Sequence, residues 1–203
     1  MNLYKVGRAI VSLYYRVIYR VRVEGTENIP NDRNFIVCAN HKSNLDPPLL
    51  GLCMPFEIRY MAKEELFKNK FFGGLIRALG AFPIKRGKSD VGALRAAMKM
   101  VKDGEVIAIF PEGGRSHKDS LRRGKQGAAL IAVKTGVDIL PVGIRGTYKP
   151  FTKMTVRVGK PISLVSYFDK KLSAEDLQVI TDQMLMPAIA ELSGEKLYED
   201  RNC

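Results

Sequence analysis

Short runs of apolar, β-branched residues alternate along this chain with longer segments of helical periodicity, and this alternation constrains the fold more than any other feature. The runs predict strands, while the segments between them carry helix signals, such as Ser89 before one apolar stretch and Gly104 after it. Strands alternating with helices are typical of an α/β fold with a largely parallel sheet covered on both faces. The predicted strands are 34–40, 57–63, 81–85, 105–110, 138–144 and 154–159, and the predicted helices include 89–104, 122–136 and 173–192.

Three loops follow predicted strands, at 40–47, 85–88 and 111–118, and all are rich in glycine or ionisable residues. In such a sheet, ligands bind beyond the carboxyl ends of the strands. The length of 203 residues suits one domain, and contents of 46% apolar and 27% charged residues suit a folded core. We therefore expect these loops to form the binding site of an α/β domain.

The first loop, "NHKSNLDPP" at 40–48, holds one of two histidines in the chain, His41, and places Asp46 five residues later. A carboxylate beside an imidazole fixes its tautomer and raises the basicity of its second nitrogen. No serine lies in a G-x-S-x-G setting, so the attacking hydroxyl would come from the substrate, in an acyl transfer without a covalent intermediate. The structural alternative is that Asp46 caps a helix beginning at Pro47, with His41 an ordinary loop residue.

Two other loops combine cations with glycines. In "GAFPIKRG" (80–87), Lys85 and Arg86 are either solvated surface or a phosphate clamp. In "IFPEGGRSHKDS" (109–120), paired glycines either let backbone N–H groups approach an anion or make a tight turn. His117 is expected to be loop surface, and the apolar "DILPVGIRG" (138–146) either lines the substrate or belongs to the core. The candidate residues of the third block are Glu112, Gly113, Gly114, Arg115 and Ser116.

The formal net charge of +12 favours an anionic partner, such as nucleic acid, a membrane surface or a phosphorylated substrate. The N-terminal segment contains no acid before Glu24 and predicts an amphipathic helix over residues 1–22. Such a helix either lies in the headgroup region of an anionic bilayer or packs on the core with its cations solvated. Its apolar stripe is Leu3, Val6, Ile10, Leu13 and Val17, its cationic stripe includes Lys5, Arg8, Arg16 and Arg20, and its tyrosines suit an interface.

Four ordered blocks together resemble the glycerolipid acyltransferase family, and most closely the bacterial 1-acyl-sn-glycerol-3-phosphate acyltransferases (PlsC-like, lysophosphatidate acyltransferases). The blocks are His41-x-x-x-x-Asp46 in "NHKSNLDP", "FPIKRG" ending in Arg86 and Gly87, "FPEGGRS" at 110–116, and "ILPVGI" at 139–144. The resemblance spans residues 24–160. One departure is Gly114, because the family most often has threonine there.

The resemblance implies a glycerol-3-phosphate acyltransferase-like fold and a role for each candidate residue. His41 would be the general base, oriented by Asp46. Lys85, Arg86 and Arg115 would hold the acceptor phosphate, while Glu112, Gly113, Gly114 and Ser116 match the acceptor-binding block. The acyl donor would be acyl-CoA or acyl-carrier protein as a co-substrate. No cofactor or metal is implied, and no cluster of metal ligands occurs in the sequence.

The resulting hypothesis is acylation of the sn-2 hydroxyl of 1-acyl-glycerol-3-phosphate to phosphatidic acid. Residues 1–22 would contact the membrane and 23–203 would form the acyltransferase domain. The segment 65–80 either adds a second apolar surface or packs on the core. We expect peripheral or monotopic attachment at the cytoplasmic face of the cell membrane, because the three cysteines and the lack of a secretory signal indicate a reducing compartment. The alternatives are acylation of glycerol 3-phosphate or another lysolipid, or a non-catalytic basic module that binds anionic membrane or nucleic acid; we do not expect nucleic acid as a partner.

Overall fold

The computed structural model describes residues 3–84, 91–116 and 120–198, with side chains described from Ala9 onwards in the first range. The strands in these ranges are β1 (Arg22–Glu24), β2 (Phe35–Ala39), β3 (Ile58–Lys63), β4 (Ala81–Ile84), β5 (Val106–Ile109), β6 (Asp138–Arg145) and β7 (Thr155–Val158). The helices are α1 (Leu3–Ile18), α2 (Asp46–Cys53), α3 (Lys70–Ala78), α4 (Val91–Lys102), α5 (Gly127–Thr135), α6 (Ala174–Ile180) and α7 (Met186–Ser193).

These strands form one sheet in the order β1-β7-β6-β2-β5-β3-β4, and the prediction of a largely parallel α/β sheet is confirmed. The central strand β2 pairs in parallel with β5 and β6, and β3 pairs in parallel with β4 and β5. Of the pairs that the structure describes, only β6–β7 is antiparallel. Pro83 lies in β4 at the edge of the sheet, where a residue without an N–H is tolerated. The carboxyl ends of β2, β5 and β6 therefore meet at one edge.

The helices form two layers, one on each face of the sheet. Side chains alternate along β2, so Phe35 and Val37 face the α1–α3 layer while Ile36 and Cys38 face the α4–α7 layer. All five residues of β2 are buried, as expected of a strand covered on both faces. Gly143 in β6 lets the backbone of α7 approach the sheet, because a Cβ there would collide with Leu192.

The predicted helix 122–136 begins later than expected, at Gly127. The preceding residues form a loop because their N–H groups bond elsewhere: Arg122 N donates to Glu112 Oε2, and Lys125 N donates to Pro111 O. Gly136 closes the helix in a left-handed conformation, as predicted.

The predicted helix 173–192 is present but not continuous. Ser173 is its N-cap and forms a reciprocal capping box with Asp176, which satisfies N–H groups at the helix start. A π-helical turn at Thr181–Leu185 then separates α6 from α7. Pro187 lies in the first turn of α7, where its missing N–H is tolerated.

The N-terminal helix α1 packs on the core through its tyrosines and leaves its apolar stripe exposed. Tyr15 and Tyr19 are buried, whereas Ile10, Leu13 and Val17 are exposed. The expectation that these two tyrosines suit an external interface is therefore wrong. The helix does pack on the core with Arg16 exposed, as one of the two alternatives predicted, but the three described members of its apolar stripe do not make this contact. None of the helices in the described ranges combines the length and the apolar content that a membrane span requires.

Candidate active site

His41 and Asp46 lie together at the carboxyl end of β2. His41 follows the strand, Asp46 is the first residue of α2, and His41 Nδ1 lies 2.8 Å from Asp46 Oδ2. The Asp46 side chain is fully buried, while 17% of the His41 side chain is exposed. An imidazole held at Nδ1 by a buried carboxylate presents Nε2 to a substrate. The geometry therefore suits a general base.

The Asp46 carboxylate accepts several hydrogen bonds. The alternative prediction, that Asp46 is the N-cap of α2, is wrong. Leu45 occupies the N-cap position of α2, and Asp46 follows it as the first helical residue. Besides the His41 ring, Asp46 Oδ2 accepts the backbone N–H groups of Lys42 and Ser43, each at 2.7 Å. Asp46 Oδ1 accepts the hydroxyl of Tyr148 at 2.5 Å. These bonds offset the cost of burying a carboxylate.

Tyr148 was not among the residues that the sequence predicted. It follows β6, and its hydroxyl reaches Asp46 because the parallel strands β2 and β6 end at the same edge. Burial raises the pKa of Tyr148, and the negative charge of Asp46 raises it further, so the phenol stays protonated and donates. The one signal in the sequence is its position, just past the fourth block at a strand end.

Phe110, at the start of the third block, packs directly on the His41 ring. The two ring centroids are 4.1 Å apart and the ring planes differ by 20°. Phe110 follows β5, the other parallel neighbour of β2. The stacked phenyl ring restricts rotation of the imidazole and fixes the plane in which Nε2 lies.

Glu112 is buried, and both of its carboxylate oxygens accept backbone N–H groups. Oε1 accepts from His41 N at 2.7 Å and Oε2 accepts from Arg122 N at 2.8 Å. Burial raises the pKa of Glu112 against the lowering effect of these two donors. In this structure Glu112 ties the third block to the first block and to the loop that precedes α5.

The remaining residues of "EGGRS" make different contacts. Ser116 is buried, its N–H donates to His41 O at 2.7 Å, and its Oγ donates to Ser120 O at 2.7 Å. Gly113 has a φ of 66°, a conformation that favours glycine. A Cβ at Gly114 would lie 2.6 Å from Arg122 Nη1. The space that a threonine side chain would need at this position is thus filled by the guanidinium group of Arg122.

The cations predicted to bind phosphate are only partly described. Arg115 lies on the surface beside the glycine pair. Lys85 and Arg86, like the predicted surface residue His117, lie outside the described residues. Two exposed cations that the sequence did not single out, Arg122 and Lys125, have side chains lying over Gly114 and Gly113 respectively.

A second set of polar contacts connects the first block to the C-terminal part of the chain. Asn40 is buried, donates to Ile144 O at 2.9 Å and accepts from Ile144 N at 2.7 Å. Its amide also donates to Glu195 Oε2 at 3.2 Å, while Lys42 forms an ion pair with Glu195 at 2.5 Å. These contacts fix the loop residues on either side of His41. No local pattern marks Glu195 in the sequence.

An apolar groove of about 280 Å³ lies beside the third block, on the side of the sheet covered by α4 and α5. Its walls include Phe110 and Gly113, so the groove shares residues with the site around His41. Other lining residues are Met61, Leu94, Ile109, Lys125 and Ile131. Within the described ranges, no group of three or more His, Cys, Asp or Glu side chains is placed to hold a metal ion.

Comparison with known proteins identifies the family. A family model described as Acyltransferase matches residues 20–145. The chain is 31% identical over 170 residues to the 1-acyl-sn-glycerol-3-phosphate acyltransferase of Bacillus subtilis (strain 168), which covers 81% of this chain and 84% of that protein. It is 32% identical over 183 residues to the enzyme of the same name from Streptococcus pneumoniae (strain ATCC BAA-255 / R6), covering 86% and 67%.

The fold also resembles a solved structure. The 1-acyl-sn-glycerophosphate (LPA) acyltransferase PlsC from Thermotoga maritima superimposes with a TM-score of 0.70 at 35% identity, covering 94% of this chain and 78% of that one. The family match spans most of the chain and includes the loops that carry His41, Asp46 and Glu112. This chain therefore belongs to the acyltransferase family.

Proposed function

We propose that this chain is a 1-acylglycerol-3-phosphate O-acyltransferase, which moves a fatty acyl group from acyl-CoA or acyl-carrier protein to the sn-2 hydroxyl of its acceptor and produces phosphatidic acid. The observation that carries the proposal is the buried Asp46 carboxylate holding Nδ1 of a partly exposed His41. The names of the relatives in Bacillus subtilis and Streptococcus pneumoniae support this choice of acceptor.

The proposed reaction is a direct transfer without an acyl-enzyme. The oxygen of the acceptor hydroxyl attacks the thioester carbonyl while His41 Nε2 accepts the hydroxyl proton. Asp46 stabilises the imidazolium that forms. The new C–O bond forms, and the C–S bond breaks when the tetrahedral intermediate collapses. The thiolate leaves and takes the proton back from the imidazolium, which regenerates the base. The stacked Phe110 ring keeps the orientation of the His41 imidazole fixed during both proton transfers.

The acceptor phosphate is the proposed ligand of the cations around the glycine pair. Arg115 supplies a planar fork for a phosphate, and Lys85 and Arg86 complete the proposed set by resemblance. Glu112 and Ser116 contribute by holding the backbone around His41, since their polar groups bond to the protein itself. Because glycines have no side chain, Lys125 can lie over Gly113 and Arg122 over Gly114, beside the proposed phosphate site.

Attachment to the membrane is the second part of the proposal. Large apolar side chains on the α1–α3 layer are exposed, and they form what we call the apolar surface: Ile10, Leu13, Val17, Leu66, Phe71, Phe72 and Leu75. Exposed cations Arg16 and Arg20 accompany it on and just after α1. Together these features suit peripheral binding to an anionic bilayer, at the cytoplasmic face of the cell membrane where the acceptor lipid would be encountered.

The test is acyl transfer by the purified full chain on anionic vesicles containing 1-acyl-glycerol-3-phosphate, with acyl-CoA and acyl-carrier protein as alternative donors. Substituting His41→Ala should lower turnover about 10²- to 10⁴-fold, the usual contribution of a general base. The matched control is His117→Ala, since the chain has only two histidines. Turnover close to that of the unmodified protein in folded His41→Ala would refute the mechanism.

The acceptor is tested in the same assay. Glycerol 3-phosphate and a lysolipid without a terminal phosphate monoester replace 1-acyl-glycerol-3-phosphate, and each should be a poor acceptor. Substituting Arg115→Ala should raise the acceptor KM and leave the donor KM unchanged. Preferred acylation of glycerol 3-phosphate would contradict the acceptor assignment while leaving the acyl transfer intact.

A further inference from the structure

The two oxygens of the Asp46 carboxylate have different partners. Oδ2 accepts from the His41 ring and from the N–H groups of Lys42 and Ser43. The partner described for Oδ1 is the Tyr148 hydroxyl, at 2.5 Å. The backbone donors belong to the His41 loop itself, whereas Tyr148 comes from the loop after β6. Tyr148 therefore anchors the carboxylate to a different part of the fold.

Tyr148 is in turn held by the residue just after the N-terminal helix. The Tyr19 ring packs edge-on against the Tyr148 ring, with centroids 5.4 Å apart and an interplanar angle of 86°. The hydroxyl of Tyr15 donates to Leu45 O at 2.6 Å, immediately before Asp46. The N-terminal segment thus supports Asp46 indirectly by two routes, from Tyr19 through the Tyr148 ring and from Tyr15 in α1 through the backbone of Leu45.

We propose that Tyr148 is a positioning residue for acyl transfer: its hydroxyl fixes the Asp46 carboxylate, and the Tyr19 ring fixes Tyr148. The inference rests on the proposed function, because it assumes that His41 acts as the base and Asp46 as its partner. Without the hydroxyl, a fully buried carboxylate oxygen loses a charge-assisted hydrogen bond, and the carboxylate can turn about its Cβ–Cγ bond. His41 then loses part of its alignment with the acceptor hydroxyl.

Tyr148 also tunes the charge that His41 experiences. A hydroxyl that donates to Oδ1 draws negative charge away from the side of the carboxylate facing the imidazole. Removing it should strengthen the hold of the pair on a proton, so the acid limb of the kcat/KM profile should move to higher pH. The other charged groups near the pair, Glu112 and the ion-paired Lys42 and Glu195, stay in place in Tyr148→Phe.

The experiment compares Tyr148→Phe with Tyr167→Phe, a matched loss of one hydroxyl on the α4–α7 side of the sheet. Tyr148→Phe should lower kcat about 10- to 100-fold, with both KM values little changed, which is the range expected for losing a hydrogen bond to a charged group. Tyr167→Phe should leave kcat unchanged. A Tyr148→Phe enzyme with unchanged kcat and an unchanged pH profile would overturn the inference.

A double-mutant cycle separates positioning from general packing. If Tyr148 acts through Asp46, Tyr148→Phe should have no further effect on kcat in an Asp46→Asn background. An equal loss in both backgrounds would contradict the inference. Histidine labelled with ¹⁵N gives a readout besides activity, because the chain has two histidines and His41→Ala assigns the signals. The Nδ1 signal of His41 should change in Tyr148→Phe and stay unchanged in Tyr167→Phe.

Variants of Tyr19 and of His41 complete the test. If Tyr148→Phe fails to fold, Tyr19→Ala removes the supporting ring and keeps the Tyr148 hydroxyl; it should lower kcat more than Tyr19→Phe, and equal activities would refute the inference. His41→Ala separates the two proposals. Activity in His41→Ala would refute the proposed mechanism, whereas an inactive His41→Ala beside an unaffected Tyr148→Phe would refute the role of Tyr148 alone.

Discussion

The two helical layers cover the same sheet in opposite ways. In the α4–α7 layer, apolar residues such as Ile131 and Ile189 are fully buried between helices and strands. In the α1–α3 layer, Leu49 and Leu50 of α2 are buried as well, but α1 contacts the core through Tyr15, and Leu13 and Phe71 remain 66% and 86% exposed. Several large exposed apolar side chains in one layer are typical of a binding surface. The α4–α7 layer stabilises the fold. The α1–α3 layer also provides the surface that we propose binds the bilayer.

The largest expected effect comes from making the apolar surface polar. The double substitution Leu13→Ser and Phe71→Ser should weaken binding to anionic vesicles about 10²- to 10⁴-fold, because each apolar side chain transferred from water contributes roughly 1.5–3 kcal/mol. The melting temperature should change little, since both side chains are exposed in the folded protein. Vesicle flotation and thermal unfolding give the two measurements.

The control for this prediction is a pair of exposed valines in the other layer. Val165→Ser and Val179→Ser also replace two exposed apolar side chains, but outside the α1–α3 layer. Vesicle binding should not change in this variant. If both double variants lose binding equally, the contrast between the two layers is wrong.

The next effect concerns the α4–α7 layer. Ile189→Ala should lower the free energy of unfolding by about 2–5 kcal/mol, because it leaves a cavity in a fully buried part of the core. Leu13→Ala should cost less than about 0.5 kcal/mol, as is usual for an exposed position. Urea denaturation of both variants measures the difference. Equal losses would mean that Leu13 contributes to the core.

Charge on α1 should have a smaller effect, and only on anionic membranes. Arg16→Gln with Arg20→Gln should weaken binding to anionic vesicles by about 2 kcal/mol, since each cation near such a surface contributes roughly 1 kcal/mol. Binding to zwitterionic vesicles should be unaffected. The difference between the two lipids should shrink as salt is added. A similar loss on zwitterionic vesicles would assign these arginines a structural role.

The smallest expected effect is a change of stability with pH at Glu112, which belongs to neither helical layer. Burial raises its folded-state pKa above the ordinary value of 4.5, so its contribution to stability is present below that value and is lost as the pH rises through the folded-state pKa. Over this window the free energy of unfolding should fall by at most about 1.4 kcal/mol per pH unit through this group. Glu112→Gln should lack this dependence, and denaturation at several pH values compares the two. A parallel dependence in both proteins would contradict the assignment.

The sequence predicted features that depend on local pattern. Strands such as 34–40 could be predicted because buried parallel strands are continuous apolar runs, and the rule for their carboxyl ends placed His41 near the third block. The spacing of His41 and Asp46 left both a pair and a helix cap open, and the resemblance to the family favoured the pair. The start of α5 could not be predicted, because the N–H groups of Arg122 and Lys125 bond to distant residues.

Features decided by tertiary contacts left no local signal. Tyr148 lies in a turn without periodicity, and Glu195 follows the last helix. In α1, the pattern showed an amphipathic helix but not which side faces the core. The tyrosines face it because their rings pack against each other and against Tyr148, and because the Tyr15 hydroxyl finds Leu45 O as an acceptor.

The hydrogen bonds around His41 affect the order in which the parts of the protein fold. The bond from His41 to Glu112 spans 71 residues, the bond from Tyr148 to Asp46 spans 102, and the bond from Asn40 to Glu195 spans 155. Contacts this distant in sequence close late in folding, because a large loop must be ordered before they form. During synthesis, α1 and α3 leave the ribosome before Tyr148 and Glu195. The chain therefore exposes its apolar surface before the contacts around His41 can form.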